Sequence, residues 1–194
     1  ALRGESVLLV SPTGSGKTLC FQLPALLTPG AAYVISPLKA LMSEQVADLT
    51  RRQIAATFVN SDLSSADKRQ RYQALRDQGV KFFFATPERF DASVVGDREV
   101  SQALGGRPAY LVVDEAHCID RWGRDFRPAY SRLGEVRQRL GAPPVLAFTA
   151  TARRWLWLGA ALSFAVVLVT LAGIAIGGGV SVGASTSLVG GLLA

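Results

Sequence analysis

Hydrophobic positions in the first 150 residues gather into short uninterrupted runs: Val7 to Val10, Tyr33 to Ile35, Ala55 to Val59, Phe82 to Ala85, Tyr110 to Val113 and Val145 to Phe148. Runs this short, apolar at every position rather than at alternate ones, predict strands covered on both faces, as in a parallel sheet. Longer mixed stretches separate them. Lys17 to Leu27, Leu38 to Arg51, Ser64 to Gln78 and Tyr130 to Leu140 have the length and spacing of helices. Strand and helix therefore alternate, which predicts an open α/β layer sandwich. Ser64, with Asp67 three residues on, reads as an N-cap with an acidic first turn, and Gly79 is placed to end that helix at φ > 0. No internal repeat interrupts the pattern.

The pattern changes at the end of the chain. From Trp155 to Ile176 no residue is charged, and the interruptions are Gly159, Ser163, Thr170 and Gly173. At the helical rise this stretch covers roughly 33 Å, about the hydrocarbon thickness of a bilayer. Arg153 and Arg154 precede it and Trp155 and Trp157 begin it, so a transmembrane helix entering from the cytoplasmic side is predicted over 155–176. Gly177 to Gly179 break the run, and Val180 to Ala194 is apolar but rich in Gly and Ser. Two parts follow: residues 1–152, and a charge-free tail within 153–194.

Charge sharpens that division. The 21 Lys and Arg and the 15 Asp and Glu all lie at or before Arg154, so the whole net charge of +6 sits on the first 154 residues. A basic surface suits an anionic partner, and equally a merely solvated face. Arg51, Arg52, Arg69 and Arg71 are expected on such faces, and Glu135 with Arg139 is an i,i+4 pair. Two cysteines, Cys20 and Cys118, and one histidine, His117, supply neither a disulfide framework nor a zinc site of usual spacing. Cys118 is expected to be a buried, inert thiol. The opening residues lack the basic segment and long apolar core of a signal peptide, so the charged part is expected in the cytoplasm.

Chemistry enters at the strand ends. Val7 to Val10 runs into Ser11-Pro12-Thr13-Gly14-Ser15-Gly16-Lys17-Thr18 and then a helix. In a strand–loop–helix of this kind, Gly14 and Gly16 let backbone N–H groups approach phosphate oxygens, Lys17 supplies a point charge to the β and γ phosphates, and the Thr18 hydroxyl can hold Mg²⁺. Residues Pro12 to Thr18 are the expected nucleotide cradle, although Ser11 stands where the generic pattern has its first glycine. A second strand, Tyr110 to Val113, ends in Asp114-Glu115-Ala116-His117. There Asp114 is placed to coordinate the metal of an Mg²⁺-nucleotide and Glu115 to polarise an attacking water. Lys17, Asp114, Glu115 and His117 are the expected catalytic residues, with ATP and Mg²⁺ as cofactors.

Together these motifs resemble the first motor domain of a superfamily 2 helicase of the DEAH-box type, and further matches resemble its RecQ family. Ser36-Pro37-Leu38-Lys39-Ala40-Leu41-Met42, with Gln45-Val46, is similar to motif Ia, and Ala85-Thr86-Pro87-Glu88-Arg89-Phe90 to motif Ib. The segment His117 to Tyr130 resembles the aromatic-rich loop through which RecQ helicases couple single-stranded DNA to ATP hydrolysis. Ala147 to Ala152 resembles motif III. The resemblance implies a RecA-like three-layer P-loop fold with a mainly parallel sheet over residues 1–152. It also implies DNA contact or coupling through Pro37, Lys39, Thr86, Pro87, Glu88, Arg89, Trp122, Arg124, Phe126, Arg127, Thr149 and Thr151. Trp122, Phe126 and Arg127 would offer stacking and cationic faces to bases. Asp120, Arg121 and Arg124 depart from the family, which more often has a small polar residue, Gln and His there. Motif 0 and the second motor domain with its arginine finger fall outside the match, so the chain alone is expected to be inactive or weakly active.

The implied function is the ATP-binding, DNA-contacting part of an ATP-dependent 3′-to-5′ DNA helicase of repair and recombination. Its implied partner is single-stranded or forked DNA, its implied location the nucleoid. Two other readings use the same residues: a DEAD/DEAH-type RNA helicase, and a nucleotide-binding module without turnover, tethered to a membrane through 155–176.

Overall fold

The computed structural model describes residues 1–12, 14–77, 79–121 and 128–150. Six strands form one parallel sheet: β1 (Val7–Val10), β2 (Ala32–Ile35), β3 (Ala56–Val59), β4 (Phe82–Ala85), β5 (Tyr110–Val113) and β6 (Val145–Thr149), in the order β1-β6-β5-β2-β4-β3. Successive residues of each strand point to opposite faces, so each strand feeds two cores. Leu8, Tyr33, Ile35, Phe83, Leu111 and Val113 line one, while Leu9, Val34, Phe84, Val112 and Phe148 line the other.

The helices divide between these cores. α1 (Lys17–Leu27) contributes Phe21 and Ala25, and α2 (Lys39–Arg51) contributes Met42 and Leu49, to the second face. α3 (Ser65–Arg76) brings Tyr72 and Leu75 to the first. After a 3-10 turn at Pro87–Phe90 come α4 (Ala92–Val95) and α5 (Asp97–Ala103); α6 (Cys118–Arg121) follows β5, and α7 (Leu133–Arg139) adds Leu133 and Val136 to the first face. The result is the expected three-layer α/β sandwich. Helices on both faces are what make continuous apolar strands stable.

Local chemistry agrees with the sequence in some places and corrects it in others. Ser64 caps α3, its Oγ accepting the Asp67 N–H at 3.1 Å. Gly79 is not in the left-handed region: the helix stops at Arg76, and the Gly79 N–H donates back to the Ala74 carbonyl at 3.1 Å. The helix expected over 130–140 is shorter. Ala129 and Tyr130 are buried in a 3-10 turn (Pro128–Tyr130), and the α-helix starts beyond them at Leu133. Arg71 is not simply solvated, because its guanidinium lies 4.3 Å over the Phe58 ring and donates to the Phe58 carbonyl at 2.7 Å, covering the edge strand. Cys118 is buried and Cys20 exposed. Among the described residues no helix is long and apolar enough to cross a membrane. The transmembrane helix expected over 155–176 lies outside them.

Candidate nucleotide and nucleic-acid site

In a parallel sheet every strand ends on the same edge, and that edge is where α/β proteins bind ligands. The described parts of the motifs that follow β1, β2, β4, β5 and β6 lie there. The edge runs from the Ser11–Gly16 loop after β1, past Thr149 at the end of β6 and Asp114–His117 after β5, to Ser36–Lys39 after β2 and Thr86–Arg89 after β4.

The loop after β1 is closed by its own side chains. Ser11 is buried; its Oγ donates to Ser15 Oγ at 2.5 Å, and Ser15 Oγ donates to the Pro12 carbonyl at 2.6 Å. Gly14 and Gly16 hold φ of 80° and 82°, a region that side chains avoid. Gly16 is also the N-cap of α1, and no side chain caps that helix. Backbone N–H groups and the positive end of the helix dipole are thus left to an anion. The Lys17 ammonium reaches back over the loop, 3.0 Å from the Ser11 carbonyl and 3.4 Å from that of Pro12. Ser11 therefore replaces a glycine by tying the loop internally, a role its position alone did not disclose.

The acidic loop is anchored to the same neighbour. The Ser11 N–H donates to the Thr149 carbonyl at 2.9 Å, and the Ala116 N–H donates to the Phe148 carbonyl at 2.7 Å. β6 thus holds the phosphate loop on one side and the acids on the other. Glu115 adopts φ of 48°, uncommon and strained for a residue with a side chain. Its carboxylate lies 3.1 Å from His117 Nδ1, which also lies 3.3 Å from the Thr149 hydroxyl. Asp114 Oδ1 accepts the Glu115 N–H at 2.9 Å. Burial, reinforced by the Glu115 charge, raises the Asp114 carboxyl above its usual range; that N–H, Lys17 and His117 pull the other way.

Burial of a carboxylate beside a second acid is a stability cost carried by a candidate metal ligand. Because the folded-state pKa is raised, the cost is present above that pKa and is relieved as pH falls through it. Asp114→Asn is expected to stabilise the domain near neutral pH by about 0.5–2 kcal/mol, the usual size of such gains, and to abolish Mg²⁺-dependent turnover. Thermal melts of both proteins between neutral and acidic pH check this; the gap must narrow on acidification, and a less stable variant would contradict the argument.

The donor set suits Mg²⁺-ATP: a loop of N–H groups and a lysine for phosphates, with the Thr18 hydroxyl and Asp114 carboxylate for the metal. Among the described residues no group of three or more His, Cys, Asp or Glu could hold a metal alone. Mg²⁺ taken up with a nucleotide needs no such cage.

Along the other half of the edge, exposure separates the expected DNA contacts. Lys39 is exposed, with its ammonium 2.7 Å from Asp62 Oδ1. Pro37, Thr86, Pro87 and Thr149 are buried, and Glu88 is half-buried. Arg89 is also buried, and its Nη1 lies 3.0 Å from Glu99 Oε1. Its charge is spent inside the fold rather than on the surface. Missed in the sequence were Glu99, which accepts from Arg89 and from Tyr72 (3.1 Å), and Asp91, which lies 2.7 Å from Arg132. The Asn60-Ser61-Asp62 turn was missed as well, though Asn and Ser just past an apolar run are a turn signal. Thr13, Trp122, Arg124, Phe126, Arg127 and Thr151 lie outside the described residues.

The sequence profile of the DEAD/DEAH box helicase family matches residues 1–156. The chain belongs to that family. It is 44% identical over 159 residues to the ATP-dependent DNA helicase RecQ of Synechocystis, covering 79% of this chain and 32% of that protein. It is 43% identical over 157 residues to the RecQ-like DNA helicase BLM of Xenopus laevis, covering 78% of this chain and 11% of that one. Among solved structures, the DUF1998 helicase MrfA bound to DNA and AMPPNP superimposes with a TM-score of 0.64 at 25% identity, over 86% of this chain and 25% of that one. The chain is thus a helicase motor domain homologous to RecQ-type DNA helicases, and it spans a third or less of these relatives.

Proposed function

We propose that residues 1–152 form the ATP-binding and DNA-contacting motor domain of a RecQ-like, ATP-dependent 3′-to-5′ DNA helicase, with 153–194 a separate apolar tail. The observation that supports this best is the shared anchoring on β6: the phosphate loop bonds to Thr149 and the acidic loop to Phe148, with β6 the strand between β1 and β5. That strand end is a fixed point common to both loops.

In this reading the Gly14–Gly16 backbone and Lys17 bind and orient the β and γ phosphates, and Thr18 and Asp114 would hold Mg²⁺, which when bound would supply charge neutralisation at the transferring phosphoryl group. Glu115 takes the proton of the attacking water at its carboxylate, which His117 orients. His117 also touches Thr149, so the position of the base reports to β6. A cationic group from a second motor domain completes the transition-state charge, so the chain alone turns over slowly.

The deciding experiment offers the chain labelled single-stranded DNA and RNA of equal length, with Mg²⁺-ATP, and follows binding and phosphate release. DNA is expected to bind more tightly and to stimulate hydrolysis more. Preference for RNA would favour an RNA helicase, and strand separation by this chain alone would overturn the domain argument. For 155–176, carbonate extraction of membranes from expressing cells separates a spanning segment from a loose tail.

A further inference from the structure

The end of β3 is a third strand terminus beside those that carry Lys39 and the Thr86–Arg89 turn. In the sheet, β2, β4 and β3 are consecutive neighbours, so Ser36–Lys39, Thr86–Arg89 and Asn60–Asp62 stand in a row on one edge. Neither the motifs nor the reading above uses the Asn60–Asp62 turn.

Its geometry is specific. Asn60 is buried, and its Oδ1 accepts the Asp62 N–H at 3.0 Å. This turn directs the Asp62 carboxylate outward onto Lys39, with Oδ1 at 2.7 Å from Nζ. The Ser61 hydroxyl bonds both partners, accepting from Lys39 and donating to Asp62 at 3.2 Å. The surface cation best placed for a backbone phosphate along this row is therefore already paired with an anion of the same charge as a phosphodiester. The Lys39 and Asp62 side chains remain 43% and 66% exposed, and exposed pairs of this kind are weak and exchangeable. Lys39 holds the Asp62 carboxyl below its usual range, so the carboxylate stays charged near neutrality.

We propose that Asp62 is a built-in competitor for the phosphate site at Lys39, and that the Asn60–Asp62 turn is a third, self-masking element of the nucleic-acid track. Single-stranded DNA binds by displacing Asp62 from Lys39, and the Ser61 hydroxyl stays in place as a neutral donor to the incoming phosphate. The masking lowers non-specific affinity and lets the strand be released between steps. This inference rests on the DNA-contacting reading and refines it at Lys39.

The test is fluorescence anisotropy of labelled oligothymidylate with the full chain, as wild type, Asp62→Asn, Asp62→Ala, Lys39→Ala and Lys39→Ala/Asp62→Asn, over a salt series. Melting curves establish that each variant is folded. Removing Asp62 is expected to tighten binding about 3–10-fold at low salt and to steepen the log–log salt slope by about one, because an unmasked Lys39 releases one more counterion. The gain must disappear in the Lys39→Ala background. Unchanged or weaker binding by both Asp62 variants, with Lys39→Ala still impaired, overturns the competitor and leaves the DNA reading standing. Wild-type affinity in Lys39→Ala overturns the DNA role of Lys39 and this inference with it.

Discussion

Lys17→Ala is expected to abolish nucleotide binding, while Glu115→Gln binds ATP as tightly as wild type and loses hydrolysis. The two residues stand on opposite sides of β6 and act on different parts of the reaction. The Lys17 ammonium bends over the phosphate loop and rests on the Ser11 and Pro12 carbonyls. A bound triphosphate offers it two stronger acceptors. Hydrogen bonds between charged groups are worth about 1.5–3 kcal/mol each, so losing both weakens binding by more than about 100-fold. Glu115 contributes no phosphate contact in this reading. Glutamine keeps its shape and its oxygen toward His117 but cannot take a proton, which costs about 10²–10⁴-fold in the chemical step. Titration with a fluorescent ATP analogue and single-turnover hydrolysis separate the effects. Equal ATP affinity of Lys17→Ala and wild type would sink the assignment of the loop.

The sheet was legible in the sequence because its strands are buried on both faces and therefore apolar throughout; Phe82 to Ala85 and Tyr110 to Val113 end where the runs end. The phosphate loop and the acids were legible because each depends on residue types in fixed local order. What escaped depends on contacts between distant segments. Arg89 reads from its motif as a surface cation, yet its partner Glu99 lies on α5, an element without an apolar run of its own. Lys39 reads from its motif as a candidate phosphate contact, but its pairing with Asp62 needs β3 to lie two strands from β2, which is a matter of topology. Arg71 follows the same logic, since a solvated-looking helix position becomes a packing one once α3 lies over Phe58. Residue order discloses chemistry carried by one loop, and discloses poorly chemistry shared across the sheet edge.

Arg89 gives that distinction its sharpest consequence. Its side chain is 7% exposed, its Nη1 pairs with Glu99 Oε1, and its Nε is buried with no acceptor among the described residues. Glu99 also accepts the Tyr72 hydroxyl and has Lys68 Nζ 3.9 Å from its other oxygen. Burial, then the Glu99 charge, pushes the Tyr72 hydroxyl well above its usual range, so Tyr72 is a permanent donor. Removing the acid therefore strands a cation and a hydroxyl in an apolar setting. Breaking a buried pair from one side costs about 3–5 kcal/mol; because Glu99 is 19% exposed, Glu99→Ala belongs near the low end of that range. For a domain of this size that lowers the melting temperature by about 6–12 °C. Arg89→Met in the same chain removes the stranded charge and recovers more than half of the loss. Single-stranded DNA affinity, measured well below the melting temperature, discriminates the roles. An arginine that holds up the Thr86–Phe90 turn leaves it nearly unchanged in Glu99→Ala, whereas a phosphate-binding arginine freed from its acid would tighten it. A stable Glu99→Ala protein with enhanced DNA binding would return Arg89 to the nucleic-acid track.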